Sequence, residues 1–310
     1  MIVVAGEALV DLAPRGEALL PLPGGSPYNV AVGLGRLGRA TSYLGALSTD
    51  AFGQRMADRL TGESVDLSLS PRVDAPTTLA VVHLDDRGRA SYAFYLDGTA
   101  ATLLGVDELP DLDEDATVHV SLGAVGFAHE PTGRALAGLL EQRATRGLTS
   151  LDPNVRPVVF AQAGGVTAYA EIVDRVVAAT DLIKVSDEDL EQLHPHGGGW
   201  HAVACRWAGS GPALVVVTRG AEGAVALTAD RREVAVPGER IEVVDTVGAG
   251  DAFTAGLLAW LDRERVADRA GLAGLPEAAL AAALTYARRV AALTCTRVGA
   301  DPPHHAEVGS

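Results

Sequence analysis

The chain has 310 residues, 48% of them hydrophobic, which is enough for one large α/β domain or a domain with a small appendage. Its 25 Lys and Arg stand against 40 Asp and Glu, a formal net charge of −15, and a field of that sign repels nucleic acid and anionic lipid. Cys205 and Cys295 are too few for a disulfide framework, Met1-Ile-Val-Val-Ala-Gly-Glu7 lacks the features of a signal peptide, and no apolar run reaches membrane-spanning length, so a soluble cytoplasmic protein is expected.

Residues 2–6 form an apolar run that reads as a buried strand. Gly24-Gly25-Ser26-Pro27 then introduces a helix to about residue 38, with Val30, Leu34 and Leu37 at helical spacing and Pro27 suited to the first turn. Gly33-Leu-Gly35-Arg-Leu-Gly38 has the spacing of the dinucleotide fingerprint but lies within this helical pattern. It reads as small residues that let the helix pack closely. Strand-like runs follow at 42–47, 118–122, 148–151, 181–185 and 213–218, with helical patterns at 52–60, 131–145, 166–178 and 187–193. That alternation predicts a doubly wound, mainly parallel sheet flanked by helices. Residues 76–84 and 90–97 depart from it, reading as a hairpin about Asp85-Asp86-Arg87-Gly88. A hairpin fits poorly inside a parallel core, so it is expected to project as a flap, joined by residues 10–20. His194, His196 and His201 fall in a Gly/Pro-rich stretch without cysteine or carboxylate at ligand spacing and read as a solvated loop. Asp111 to Asp115 reads as a solvated face, and His304-His305 as a polar tail. Beyond 213 come a strand pair (223–228 and 232–236), a helix after Gly250 and an Ala-rich helix near 277–293.

The stretch richest in chemistry is Asp245-Thr-Val-Gly-Ala-Gly-Asp251, which runs straight into an apolar helical pattern. A helix start has unpaired N–H groups and a positive dipole end, so it holds phosphates and oxyanions. Gly248 and Gly250 let that backbone approach an anion closely. Asp251 beside the anion is electrostatically unfavourable unless it takes a proton from an attacking hydroxyl, which points to phosphoryl transfer. Lys184 is the only lysine and is not followed by Ser or Thr, which excludes a Walker-type loop. Gly24 to Asn29 reads either as an ordinary helix start or as a ligand floor with the Asn29 amide aimed at a polyol. Asp152-Pro-Asn-Val-Arg156 follows a strand, where open α/β sheets place ligands, so Arg156 is either a phosphate contact or a surface ion pair. Thr218-Arg-Gly220-Ala-Glu-Gly223 also follows a strand and is either a ligand loop or a plain turn.

Taken together, these residues resemble the ribokinase-like (PfkB-type) carbohydrate kinases along the whole chain, and most closely the fructokinases among them. The likeness is carried by Gly24-Gly25-Ser-Pro-Tyr-Asn29 through Gly38 and by Asp245 to Phe253, in that order. Gly6-Glu7-Ala8-Leu-Val-Asp11, Ser121-Leu-Gly123, Asp152 to Arg156 and Cys295 to Pro303 support it. The resemblance implies a single kinase domain over 1–310, with a β-sheet lid formed by about 10–22 and 73–98 that closes over the sugar and serves relatives as a dimer contact. It implies that Asp251 is the catalytic base and that Gly248, Ala249 and Gly250 belong to the anion hole. Asp11, Gly25, Ser26, Asn29 and Arg156 would face the sugar, with Phe94 or Tyr95 as an apolar wall. Lys184, Ser186, Thr218, Gly220, Gly223, Val247 and Arg288 map onto the nucleotide side. Asp245, Val247, Arg297 and Gly299 match a monovalent-cation site. ATP would be the phosphate donor, with Mg²⁺ and a monovalent cation such as K⁺. Where many relatives have Asn-x-x-Glu this chain has Ser186-Asp-Glu-Asp189, and Arg288 stands where fructokinases commonly have an adenine-side asparagine.

Charge narrows the substrate. Ser26 stands where ribokinases carry a lysine, and Gly123 where they place a sugar-binding glutamate. The stretch Tyr92-Ala-Phe94-Tyr95-Leu96-Asp97 offers no cation for a sugar acid or a sugar phosphate. A neutral ketohexose is expected, fructose first, converted to fructose 6-phosphate. Another neutral sugar, a nucleoside, a keto-deoxy sugar acid or a non-catalytic sugar binder on the same scaffold are the alternatives.

Overall fold

Apolar runs bounded by turn residues become the inner strands of a nine-stranded sheet, and the stray hairpin becomes part of a second, smaller one. The computed structural model describes residues 1–84 and 90–309, so the turn expected at 85–88 lies outside the described residues. The chain opens with β1 (Ile2–Gly6), β2 (Leu9–Arg15), β3 (Ala18–Gly24), α1 (Ser26–Arg36), β4 (Thr41–Leu44), β5 (Leu47–Ser48) and α2 (Ala51–Gly62). It continues through β6 (Val65–Asp66), β7 (Arg72–Val73), β8 (Leu79–Leu84), β9 (Ala90–Tyr95), β10 (Thr117–Ser121), α3 (Thr132–Arg143) and β11 (Thr149–Asp152). Next come α4 (Val158–Gln162), α5 (Val166–Ala178), β12 (Leu182–Ser186), α6 (Asp187–Leu193), α7 (Trp200–Ala208), β13 (Leu214–Thr218), β14 (Ala224–Thr228) and β15 (Glu233–Val236). The last helices are α8 (Ala249–Arg263), α9 (Arg269–Ala273), α10 (Glu277–Cys295) and α11 (His305–Val308).

The large sheet runs β15-β14-β13-β12-β11-β10-β1-β4-β6. It is parallel from β13 to β6, with β14 and β15 added antiparallel at one edge. Strands covered on both faces by helices read as unbroken apolar runs. Accordingly Ile2 and Val4 bury in the core that includes α1, α8 and α10, while Val3 and Ala5 bury in the core that includes α3 and α5. Small residues set the helix spacing. A Cβ on Gly33 would lie 2.8 Å from Ala255 Cβ, and one on Gly256 would lie 2.9 Å from Ala287 Cα, so α8 nests between α1 and α10.

The small sheet has the order β3-β2-β8-β9. Its middle pair, β2 and β8, is parallel, and both outer pairs are antiparallel hairpins. Two expectations need correction. The run 42–47 is broken after Leu44, because Gly45 sits against Gly6 O where a Cβ would come within 2.3 Å. His201 lies on α7 instead of in a solvated loop, and His194 bonds Asp174 at 3.1 Å. Folding also brings His201 a cysteine and a carboxylate, with Cys205 Sγ at 3.7 Å and Glu233 Oε2 at 3.0 Å. Among the described residues no three such side chains are spaced to hold a metal ion, and no helix is long and apolar enough to cross a membrane.

Candidate active site

Two helix starts meet at the carboxyl ends of the parallel strands. Gly248, the N-cap of α8, has φ 75°, a left-handed conformation, and a Cβ there would lie 2.6 Å from Ala300 Cβ. The next residues, Ala249 and Gly250, open the first turn: the Ala249 N–H bonds Thr246 O at 3.2 Å, and those of Gly250 and Asp251 have no helical acceptor. Asp251 completes that turn and accepts a hydrogen bond from Asn29 Nδ2 at 2.8 Å. Asn29 belongs to the first turn of α1, which starts at Ser26 after Gly25. The positive dipole ends of both helices thus face one cavity, an arrangement that favours a bound anion.

That cavity has a volume of about 500 Å³ and gathers residues from most of the chain. Of the residues expected at the site, Asp11, Gly25, Ser26, Asn29, Phe94, Arg156, Lys184, Val247, Gly248, Gly250 and Asp251 line it together. Burial pushes the Asp251 carboxyl above its ordinary range, against the hydrogen bonds of Asn29 and Ser26 and the charge of Lys184. Burial also pushes Asp11 up to about 6, opposed by the nearby Arg156 charge and reinforced by Glu7 and Asp251. Lys184 is buried under Gly250: its Nζ lies 3.1 Å from where a Gly250 Cβ would be and pairs with Asp152 Oδ2 at 2.8 Å. Burial disfavours its charge, yet the carboxylates of Asp152, Asp189 and Asp251 push its pKa up.

The remaining expected residues do not line this cavity. Ser186 and Thr218 end β12 and β13 side by side, and Ser186 Oγ accepts the Asp189 N–H as the cap of α6. Gly220 and Gly223 turn the chain between β13 and β14. Asp245 fastens the anion-hole loop from behind, accepting the Val247 N–H at 3.0 Å and the Gly299 N–H at 2.8 Å. Arg297 pairs with Asp301 and Glu307. Arg288 donates to Pro237 O and pairs with Glu239. Tyr95 is corrected. Side chains alternate across a strand, so with Phe94 on the cavity its neighbour Tyr95 points to the other face, where it is 61% exposed.

Tyr92, two residues from Phe94, takes the place expected of Tyr95: its ring stacks on Phe94 with centroids 5.9 Å apart, and both line the cavity. Glu7 was also missed. It is 2% exposed, accepts the Ala124 and Val125 N–H groups at 3.0 and 2.7 Å, and is pushed up by burial. A Cβ on Gly123 would come within 2.8 Å of its Oε1, so Gly123 leaves room for the Glu7 carboxylate. The one available signal was a charged residue closing an otherwise apolar strand run. Glu188 at the start of α6 and Asp152 under the anion hole complete the acidic set.

Comparisons with known proteins point to one family. Residues 2–306 match the pfkB family of carbohydrate kinases. A fructokinase of Rhizobium leguminosarum bv. trifolii is 39% identical over 285 residues, covering 90% of this chain and 85% of that protein. The structure of a Xylella fastidiosa fructokinase with bound ATP superposes with a TM-score of 0.89 at 28% identity, covering 99% of this chain and 96% of the other. That of a Vibrio cholerae O395 fructokinase bound to fructose, ADP and a calcium ion gives 0.83 at 31% identity, covering 99% and 97%. With a buried carboxylate at a helix start, a cavity of sugar size beside it and a family match over almost all its length, this chain belongs to the pfkB family of carbohydrate kinases.

Proposed function

We propose that this chain transfers the γ-phosphoryl group of ATP to the primary hydroxyl of D-fructose, giving fructose 6-phosphate. The observation that carries this reading is the Asp251 carboxylate, held at 2.8 Å by Asn29 at the mouth of two helix starts. Asp251 takes the proton of the sugar hydroxyl as that oxygen attacks the γ-phosphorus in line, and the α8 N–H groups stabilise the charge that develops on the transferring group. Asp11, Asn29 and Glu7 offer hydrogen bonds to sugar hydroxyls, and the Tyr92–Phe94 pair offers an apolar face. The small sheet acts as a lid that excludes water from the transfer.

A neutral sugar suits the local charge. Lys184 pairs with Asp152, and Arg156, which donates to the carbonyls of Asn154 and Val155, faces the acidic Asp11 and Glu7, so the sugar side carries no excess of positive charge to attract a carboxylate or phosphate. Glu188 on the cavity rim is a hard oxygen donor of the kind Mg²⁺ takes, and Mg²⁺ held there would neutralise charge on the ATP phosphates. Asp245 suits a monovalent cation such as K⁺, since its carboxylate keeps acceptor sites beyond the two N–H bonds it receives. Arg297 and Gly299 would serve only through backbone carbonyls. Leu19, Leu20, Leu22 and Tyr95 are exposed on the small sheet, which supports a dimer contact through the lid.

Two experiments test the reading. In an ADP-coupled assay over ketohexoses, aldohexoses, nucleosides and sugar acids, fructose should give the highest kcat/KM; preference for a nucleoside or a sugar acid would overturn the substrate. Asp251→Asn should lower kcat by about 10²-fold or more while fructose binding by calorimetry stays within about twofold. Wild-type turnover in that variant would remove the base, and sugar binding without ADP release in the wild-type protein would leave a binding protein.

A further inference from the structure

A second cavity, of about 420 Å³, shares no lining residue with the active site and is built from α7, the end of β14 and the turn into β15. β14 runs antiparallel to β13 and pairs Thr228 with Leu214, so this cavity lies at the amino ends of the parallel strands, opposite the active site. Over the whole chain acidic residues outnumber basic ones by 40 to 25. Around this cavity the balance reverses, with Arg206, Arg231 and Arg232 against Glu233 alone. Glu233 is already held by His201 at 3.0 Å. Arg232 is fixed: its Nε pairs with Asp230 at 2.8 Å, and its two terminal nitrogens donate to the carbonyls of Leu275 and Ala273 at 2.8 and 3.2 Å. Arg206 and Arg231 are exposed, and their guanidiniums make no ion pair or hydrogen bond among the described residues. Asp174 feels the Arg206 charge but is itself engaged by His194 and Trp207.

We propose that this cavity binds a small phosphorylated metabolite of about sugar-phosphate size, at a site separate from the one that performs phosphoryl transfer. A guanidinium without a protein partner offers paired N–H donors in the geometry of a phosphate group. Two such cations match a phosphate dianion, whereas a carboxylate would answer only one. Arg232 adds a fixed positive charge at the wall, and Leu227 and Ala229 give an apolar surface for a carbon skeleton. The volume lies within the range of small-molecule sites. The carbonyl end of α7 opposes an anion, but it is partly quenched, since the Gly209 N–H bonds Cys205 O at 3.2 Å and the Ser210 N–H bonds Trp207 O at 2.9 Å. None of this depends on which sugar is phosphorylated or on which residue is the base, because the two cavities have no residue in common.

The test is calorimetric titration of glucose 6-phosphate and of inorganic phosphate into the full chain, with the active site filled by fructose and a non-hydrolysable ATP analogue. Wild-type protein should bind one glucose 6-phosphate, and more tightly than gluconate at equal ionic strength. The double variant Arg206→Gln/Arg231→Gln should lose about tenfold or more of that affinity. Its kcat and KM for fructose, measured without either probe, should stay within about twofold of wild type, and Asp251→Asn should bind glucose 6-phosphate as the wild type does. Absence of binding up to about 10 mM of either probe overturns the proposal. So does affinity unchanged in the double variant, which would place the phosphate elsewhere, or gluconate binding as tight as glucose 6-phosphate, which would show general charge attraction only.

Discussion

The two sheets divide the site between them in opposite ways. From the large sheet and its strand ends come buried polar groups with fixed partners: Asp152 and Lys184 at 2.8 Å, Ser121 against Ser26, and Glu7 capped by two backbone N–H groups. The small sheet contributes Asp11 and the stacked Tyr92 and Phe94, with one of its faces on the cavity and Tyr95 on the other. Strands buried on both faces can hold charges in place because neighbouring elements supply fixed partners, whereas a half-exposed sheet offers shape and apolar contact at lower rigidity. On the proposed reading, the large sheet therefore holds the buried charges around the base, and the small sheet adds Asp11 and an apolar face.

The sharpest way to break that division is to remove one charge from the large sheet. Lys184→Met leaves Asp152 buried and unpaired beside Asp189 and Asp251, which should cost about 3–5 kcal/mol in urea unfolding. Adding Asp152→Asn to that variant should recover much of the loss, since both charges are then gone. A double variant as unstable as the single one would mean that packing, not charge, holds this part of the sheet together.

Within the small sheet the comparison is between adjacent residues. Phe94→Ala should raise KM for fructose by about tenfold with kcat little changed, because it removes ground-state and transition-state contact alike. Tyr95→Ala, one position along the same strand, should leave both constants within about twofold. Equal effects would mean that the strand's register on the cavity is other than Leu79 opposite Tyr95 and Ala80 opposite Phe94.

The same contrast governs what the sequence made legible. Inner strands such as β1 and β13 are buried on both faces, so their apolar runs stand out in the sequence. β2 and β3 contain Pro14, Pro21 and Pro23, which blur any strand pattern, and they surfaced only as a partner for the hairpin. α7 was hidden by Gly197-Gly198-Gly199, although Gly199 is its N-cap with φ 90°. At the site, Asp251 and Asn29 were legible because glycines mark the helix starts beside them. Glu7 was not, since its role depends on N–H groups of residues 124 and 125, far along the chain. Choosing Phe94 over Tyr95 needed the register, because a shift of one residue exchanges the faces of a strand.

The smallest expected effect falls on Asp11, the charged residue that the small sheet lends to the cavity. Its carboxyl is pushed up to about 6 from an ordinary 3.8, first by burial, with Arg156 opposing and Glu7 and Asp251 adding to the rise. A carboxyl whose folded value lies above its unfolded one favours the folded state fully below the unfolded value, and that contribution is lost as pH rises through the folded value. Asp11→Asn cannot titrate, so its melting temperature should exceed that of the wild type above about pH 6, with the gain fading as pH falls toward about 4. The same variant should bind fructose more weakly, because the ionised carboxylate accepts hydrogen bonds from sugar hydroxyls that an amide accepts less strongly. Melting curves and fructose titrations across that range check both halves. A melting difference that stays constant with pH would show that the Asp11 carboxyl titrates near its ordinary value, and the small sheet would then bring no strained charge to the site.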